Sequence, residues 1–244
     1  MVVPPPTGYR ATSNQMGWTN EAYGDPAVDG FVALAASAPL PVVDIGAGHG
    51  AATAAAIRVG ARVVAVEIHD DHLDAIRSRV GRERADRLTL VAGRFPEAVR
   101  LPAGAHSAVL LARVLHFFDG PRIEACARTS FALLAPGGRV FVSAETPFRG
   151  NMRAFLPTYE ARRRAGDPWP GIVDDTSRYF SPQANLPPFM NFLDEEVLRR
   201  VFAAAGFEIE KAYLFERPHL PDEVRLDGRE GVGLVAVKRG GPGP

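Results

Sequence analysis

Short apolar runs alternate with amphipathic stretches through the middle of the chain. The runs are continuous rather than alternating in polarity, which is typical of strands buried on both faces of a parallel sheet. They cover residues 42–45, 62–67, 88–91, 108–112 and 139–144. Between them, apolar positions recur at helical spacing over residues 51–58, 70–80 and 121–134. The alternation predicts a parallel sheet with helices on both faces.

This rhythm stops after the last of these runs. Residues 146–193 contain seven prolines and eight aromatic residues, without a clear strand. A segment of this length without strands is usually functional. We therefore expect an inserted cap, whose aromatic side chains form one wall of a substrate pocket and favour an aromatic or apolar substrate.

Regular structure resumes near the end of the chain. Residues 194–205 predict a helix with Asp194 as its N-cap. Residues 207–215 and 231–238 predict two strands that pair antiparallel. Together with the five earlier runs they give a single α/β domain over residues 1–244. Its doubly wound, seven-stranded sheet is expected to be mostly parallel, with a terminal antiparallel strand pair.

Charge and cysteine content exclude several classes of protein. Lys plus Arg and Asp plus Glu are both 28, so the chain lacks the positive surplus with which nucleic-acid binders displace counterions. No apolar run reaches the roughly 18 residues of a membrane span, and no leader pattern is visible. Cys126 is the only cysteine, which argues against an intrachain disulfide or a cysteine-built zinc site. We expect a cytoplasmic protein that binds neither nucleic acid nor membrane.

A glycine-rich turn follows the first predicted strand. Gly46, Gly48 and the residues around them allow a tight turn and a close approach of the backbone to a ligand. Glu67 ends the second strand, where a carboxylate can accept hydrogen bonds from both hydroxyls of a ribose. With Ala51, the glycines also satisfy the dinucleotide pattern G-x-G-x-x-A, which leaves NAD open. Asp44 points to a different ligand, because a buried carboxylate requires a cation or backbone amides as partners.

These motifs resemble those of the class I S-adenosylmethionine-dependent methyltransferases of the small-molecule type. The resemblance covers residues 42–238. It rests on Asp44-x-Gly46-x-Gly48-x-Gly50, on Glu67, on Leu134-x-Pro136-Gly137-Gly138 and on the closing strand pair. It implies a Rossmann-like fold, S-adenosyl-L-methionine as cofactor and S-adenosylhomocysteine as product.

The resemblance also implies which residues hold the cofactor. Asp44 would order the loop or bind the amino group, the glycine loop would lie against the methionine part, and Glu67 would bind the ribose. Many family members have an acidic residue near the adenine amine after the third strand, but this chain has Arg94, which cannot accept a hydrogen bond. Phe95 would cover the adenine instead. The predicted set is Asp44, Gly46, Ala47, Gly48, Glu67, Ile68, Arg94, Phe95 and Arg113.

Two residues are candidates for a catalytic base. His116 lies in a Val-Leu-His stretch at the end of the fourth strand, as in many small-molecule methyltransferases. Glu145 ends the fifth strand, at the edge of the sheet where ligands of open α/β folds bind. The alternative for His116 is a packed, hydrogen-bonded core residue.

Aromatic residues suggest where a substrate would bind. Residues 9–30 form an aromatic segment before the first strand, and we expect it to act as a lid, since aromatic faces attract a sulfonium. The alternative is a docked segment whose aromatic side chains fill the core. With the aromatic residues of the cap, the predicted substrate-binding residues are Tyr9, Trp18, Tyr23, His116, Phe148, Tyr159 and Trp169.

The remaining histidines do not predict a metal site. We expect Asp70 or Asp71 to cap the following helix, with His69 and His72 solvated. His49, inside the glycine turn, is expected to be exposed.

The sequence therefore predicts methyl transfer to a small molecule, with an aromatic acceptor in specialised metabolism as the finer expectation. Three alternatives stay open. They are a cyclisation or elimination that uses the same bound cofactor, an NAD-dependent oxidoreductase, and a non-catalytic binding subunit. No Asn-Pro-Pro-Tyr motif of nucleic-acid amine methylation follows the fourth strand. A homodimer is compatible with this assignment.

Overall fold

The computed structural model of the chain describes residues 8–14, 16–21, 24–180 and 186–240. The strands are β1 (Tyr9–Ala11), β2 (Trp18–Asn20), β3 (Val42–Ile45), β4 (Val63–Glu67), β5 (Leu88–Ala92), β6 (His106–Ala112), β7 (Leu134–Glu145), β8 (Ile172–Val173), β9 (Met190–Asn191), β10 (Glu208–Phe215) and β11 (Gly231–Val237). The helices are α1 (Pro26–Ala35), α2 (Ala51–Arg58), α3 (Asp70–Val80), α4 (Gly120–Leu133), α5 (Leu156–Arg164) and α6 (Glu195–Ala204).

Seven strands form the central sheet, in the order β10-β11-β7-β6-β3-β4-β5. Strands β3 to β7 run parallel, whereas β11 is antiparallel to both β7 and β10. This arrangement confirms the predicted fold class, a mostly parallel sheet with an antiparallel end. The strand order reverses between β3 and β6, and such switch points form ligand-binding crevices at the carboxyl ends of the strands.

The continuous apolar strands are explained by two cores, one on each face of the sheet. Val43 and Val109 pack in one core with α4 and α6, whereas Val42 and Ala108 pack in the other with α1 and α2. Successive side chains of a strand point to opposite faces, so a strand covered on both sides needs apolar residues at every position.

The Leu134-x-Pro136-Gly137-Gly138 motif lies inside β7, where Gly137 has a φ of +81° and the pairing with β6 shifts register. One local prediction about helix caps is wrong. Helix α3 is preceded by His69 as its N-cap, without a side-chain cap from Asp70 or Asp71, which lie in its first turn. Asp194 does cap α6, as predicted, because its side chain accepts from the backbone N–H of Val197.

The segment 146–193 is more regular than expected. It contains α5 and the antiparallel pair β8–β9, so the prediction that it lacks strands is wrong. Met152, Phe155 and Tyr159 form a separate apolar core with residues near β9. Among the described residues, no helix is long and apolar enough to cross a membrane.

Candidate active site

A cleft of about 740 Å³ opens at the carboxyl ends of β3, β4, β6 and β7. Parallel strands end at the same edge of a sheet, so the loops that follow them meet there. Many of the predicted site residues line this cleft: Trp18, Asp44, Gly46, Ala47, Gly48, Glu67, Ile68, Arg94, Phe95, Arg113, His116 and Glu145. Residues far apart in the sequence are thus brought to one site by the sheet topology.

The glycine loop between β3 and α2 is left-handed at three positions. Gly46 has a φ of +67° and Gly48 of +54°. A Cβ atom would lie 2.5 Å from the side chain of Val114 at Gly46, and 2.7 Å from that of Thr19 at Gly48. Other residues are therefore disfavoured both by conformation and by contact. The loop presents bare backbone to the cleft, as a close ligand approach requires.

Asp44 ties the end of β3 to α2 beneath this loop. Its carboxylate is buried, and its Oδ2 accepts a hydrogen bond of 2.6 Å from Thr53 Oγ1. Burial raises the pKa of Asp44 to about 6, and the charge of Glu67 adds to this shift while Thr53 opposes it. Asp44 therefore links the end of β3 to the first turn of α2.

Glu67 is already engaged with the backbone of two loops. Its Oε2 accepts from Gly48 N at 2.8 Å, and its Oε1 accepts from Ile68 N at 2.8 Å and from His69 N at 3.2 Å. Burial alone raises the pKa of Glu67, but contact with the His72 imidazole and these backbone hydrogen bonds outweigh it, so the pKa is lowered. A carboxylate has about four acceptor positions and these amides use three, so Oε2 keeps one for a ligand hydroxyl.

Two histidines contradict the sequence prediction. His49 and His72 are buried rather than solvated, because the β1–β2 hairpin packs over them. His49 Nδ1 lies 2.7 Å from Thr19 Oγ1, and His72 Nε2 accepts from Ser13 N at 3.1 Å. Burial lowers the pKa of His49 to about 4. Strand and helix periodicity contains no signal for the packing of this distant hairpin. Tyr23 lies outside the described residues.

Glu145 is the centre of a buried ionic cluster. It is 3% exposed, and Arg217 Nη1 donates to its two carboxylate oxygens at 2.7 and 2.8 Å. Arg113 Nη2 lies 2.8 Å from Oε1, and Arg149 Nη1 donates to Oε2 at 2.6 Å. Burial raises the pKa of Glu145, but the three guanidiniums outweigh it and hold the pKa well below its usual range. Sequence analysis missed Arg149 and Arg217, since both lie in loops without a motif.

Comparison with known proteins finds similarity to methyltransferases. A family model described as a methyltransferase domain matches residues 42–138, which include the glycine loop and Glu67. Over these residues the chain is similar to a methyltransferase domain, as its class I S-adenosylmethionine-dependent motifs indicate. A curated methyltransferase of Streptomyces cremeus, 3-amino-4-hydroxybenzoate 4-O-methyltransferase, is 36% identical over 160 residues, or 60% of this chain. The chain spans only 42% of that relative's length.

Two solved methyltransferase structures have the same fold. An S-adenosylmethionine-dependent methyltransferase from Mesorhizobium loti is 17% identical with a TM-score of 0.64, covering 86% of this chain and 97% of that one. The 1,6-didemethyltoxoflavin-N1-methyltransferase of Burkholderia thailandensis is 20% identical with a TM-score of 0.58, covering 88% and 79%. The Rossmann-like fold predicted for a methyltransferase is confirmed.

His116 has the position but not the basicity of a catalytic base. It is buried in the cleft wall, and its Nδ1 accepts from Glu145 N at 3.4 Å. Burial lowers the pKa of His116 to about 3. Nearby arginines lower this pKa further, whereas the negative charge of Glu145 opposes the shift. The imidazole is therefore neutral at pH 7, with its proton on Nε2. Glu145 is no better a base, because its ion pairs stabilise the ionised form.

Four of the predicted substrate residues lie outside the lining of the cleft. Tyr159 is buried, and its hydroxyl donates to Asp194 Oδ2 at 2.5 Å. Phe148 packs on Tyr159, and Trp169 packs against the core beside α6. Tyr9 accepts a hydrogen bond from Arg217 Nη2 at 2.9 Å, behind the cleft wall. Trp18 does line the cleft. Aromatic content alone cannot distinguish a pocket wall from a local core.

Proposed function

We propose that this chain transfers a methyl group from S-adenosylmethionine to a small, aromatic acceptor in specialised metabolism. The observation that carries the proposal is one cleft in which the bare glycine loop and Glu67 end adjacent strands. The aromatic acceptor is supported by the curated relative, whose name gives a hydroxybenzoate as its substrate.

The described residues fit the cofactor. Gly46 and Gly48 line the cleft with backbone that carries no side chain, and Glu67 Oε2 keeps one acceptor position for a ribose hydroxyl. Ile68, 48% exposed at the rim, offers an apolar surface for the adenine. When bound, S-adenosylmethionine supplies a methyl group that its positive sulfur already activates.

The chain's own contribution is alignment. The loop and Glu67 hold one reactant while the β6–β7 side of the cleft holds the acceptor, so that the nucleophile lies in line with the methyl carbon. Orientation of this kind accounts for about 7–11 kcal/mol of barrier reduction in well-aligned intramolecular systems. Neither His116 nor Glu145 is required as a proton acceptor.

The N-terminal hairpin supports the proposed lid. Its Thr19 and Ser13 contact His49 and His72 beside the glycine loop, while its Tyr9 accepts from Arg217, which is paired with Glu145. We propose that residues 9–30 cover both reactants. The cap role of residues 146–193, the homodimer and the cytoplasmic location stay predictions.

Calorimetric titration tests the cofactor class. We expect micromolar binding of S-adenosylhomocysteine and no binding of NAD, because Glu67 and the glycine loop are arranged for a nucleoside linked to an amino acid. Binding of NAD alone would reject the methyltransferase proposal in favour of an oxidoreductase. Methylated product formed with 3-amino-4-hydroxybenzoate or a related acceptor would then separate methyl transfer from cyclisation or elimination.

The role of His116 is tested by its substitution. His116→Asn should slow turnover more than it weakens binding of S-adenosylhomocysteine, because the side chain lines the cleft without serving as a base. The rate–pH profile should show no inflection between pH 5 and 8 that this substitution removes, since the pKa of His116 is about 3. His106→Asn, at the opposite end of β6, is the control. An inflection near pH 6.5 that disappears in His116→Asn would show that His116 is the base, and unchanged turnover would reduce it to packing.

A further inference from the structure

Three arginines surround a single carboxylate at the β6–β7 end of the cleft. Arg113, Arg149 and Arg217 all contact Glu145, and none of the four side chains is more than 24% exposed. One carboxylate neutralises one guanidinium, so the cluster carries an excess of two positive charges. Excess charge taken out of water is costly unless a partner compensates it.

Among the described residues, no carboxylate other than Glu145 forms an ion pair with these guanidiniums. Apart from Glu145, the groups that act on Arg149 are two arginines and Tyr9. Glu230 accepts from backbone amides, including that of Arg217, rather than from a guanidinium. The chain outside the described ranges contains no Asp or Glu. Burial and the neighbouring arginines lower the pKa of Arg149, as expected where positive charge is in excess.

The uncompensated charge faces the cleft. Arg113 and Arg149 both line it, whereas Arg217 turns to Tyr9. The Nε atom of Arg149 is buried without a hydrogen-bond partner among the described residues, and so is Oδ1 of Asn151 in the same wall. Arg113 holds a φ of +59°, which is strained for a residue with a side chain. Such strain often accompanies a functional position.

The arginine cluster and the proposed cofactor-binding residues follow different strands of the sheet. The glycine loop and Glu67 follow β3 and β4, whereas Arg113 follows β6 and Arg149 follows β7. If the residues at the ends of β3 and β4 hold the cofactor, the residues that follow β6 and β7 border the acceptor.

We propose that Arg149 and Arg113 bind a carboxylate of the acceptor, which is therefore a small organic acid with its nucleophilic atom elsewhere in the molecule. This inference rests on the proposed function. A carboxylate accepts two hydrogen bonds from a guanidinium and supplies the missing negative charge. Anchored there, the acid orients its nucleophile towards the glycine-loop end of the cleft.

The test compares matched acceptors by calorimetry in the presence of S-adenosylhomocysteine. The probes are 3-amino-4-hydroxybenzoate, 3-aminobenzoate, which keeps the carboxylate but lacks the hydroxyl, and 2-aminophenol, which keeps the amino and hydroxyl groups but lacks the carboxylate. We expect both acids to bind at least about tenfold more tightly than 2-aminophenol. Arg149→Met should remove this preference, Arg149→Lys should restore part of it, and binding of S-adenosylhomocysteine should be unchanged.

Arg153→Met is the matched control, because Arg153 lies in the same segment but is exposed and outside the cleft. Equal affinity of acids and 2-aminophenol, or no binding of either acid at millimolar concentration, would overturn the proposal. So would an equal effect of Arg149→Met on all three probes. If the unsubstituted protein does not bind S-adenosylhomocysteine, the proposed function itself would be rejected instead.

A second measurement needs no acceptor. If Arg149 is present for a ligand, its removal relieves charge repulsion, and Arg149→Met should unfold at the same temperature as the unsubstituted protein or higher. Arg217→Met should unfold at a lower temperature, because Arg217 donates to both oxygens of Glu145. A fall in the unfolding temperature of Arg149→Met as large as that of Arg217→Met would show that the cluster is structural.

Discussion

Glu145→Gln should lower the free energy of unfolding by about 3–5 kcal/mol at pH 7, which is typical when one partner of a buried ion pair is removed. The substitution keeps the size of the side chain but leaves three guanidiniums without a carboxylate. The loss of the negative charge affects Arg217 most, because this residue is 5% exposed and has Glu145 as its main ionic partner. Urea denaturation of both proteins measures the difference.

The difference should depend on pH with a defined sign. The pKa of Glu145 in the folded protein lies well below 4.5, its usual value. Its contribution to stability is therefore complete above about pH 4.5 and is lost as the pH falls through the lower folded value. The difference in the free energy of unfolding between Glu145→Gln and the unsubstituted protein should stay constant from pH 7 to about pH 5. It should become smaller below about pH 5.

A surface ion pair provides the control. Arg139 Nε and Nη2 donate to Glu210 on β10, but both side chains are about one third exposed. Glu210→Gln should therefore cost less than about 1 kcal/mol. Equal losses of unfolding free energy for the two variants would contradict this prediction. They would mean that the buried cluster around Glu145 contributes no more to stability than an exposed ion pair.

The sheet was predictable because its signal is local. Strand β3 and helices α2 and α3 have the bounds that the sequence predicted, since a strand covered on both faces requires continuous apolar residues and a covering helix requires its own period. The glycine loop was predictable for the same reason, because left-handed backbone at Gly46 and Gly48 restricts the residue type.

The β6–β7 side of the cleft was not predictable in this way. Arg149 and Arg217 are ordinary loop arginines in the sequence. The pairing of β10, β11 and β7 brings Arg217 to Glu145, whereas Arg149 lies four residues beyond Glu145 in the chain. Aromatic residues misled for a related reason, since Tyr159 fills the local core of its own segment. Long-range side-chain contacts leave no periodic trace.

Glu67→Ala should weaken binding of S-adenosylhomocysteine by about 1–3 kcal/mol, which corresponds to about 5–150-fold. We expect this loss because the carboxylate would no longer accept hydrogen bonds from the ribose. Calorimetric titration measures it. Asp71→Ala, an exposed acidic residue in the first turn of α3, is the control and should leave the affinity unchanged. Unchanged affinity in a folded Glu67→Ala protein would reject the ribose assignment.

A second ligand separates this role from an indirect effect on the loop. Glu67 also accepts from Gly48 N and Ile68 N, so its removal loosens the backbone that the proposal places against the methionine part of the cofactor. 5′-Methylthioadenosine has the ribose and adenine but no amino-acid group. If Glu67 acts by accepting a hydrogen bond from the ribose, Glu67→Ala should weaken the binding of both ligands by the same factor. If it acts mainly by holding the loop, S-adenosylhomocysteine should lose much more affinity than methylthioadenosine, because only the former reaches the loop with its amino-acid end.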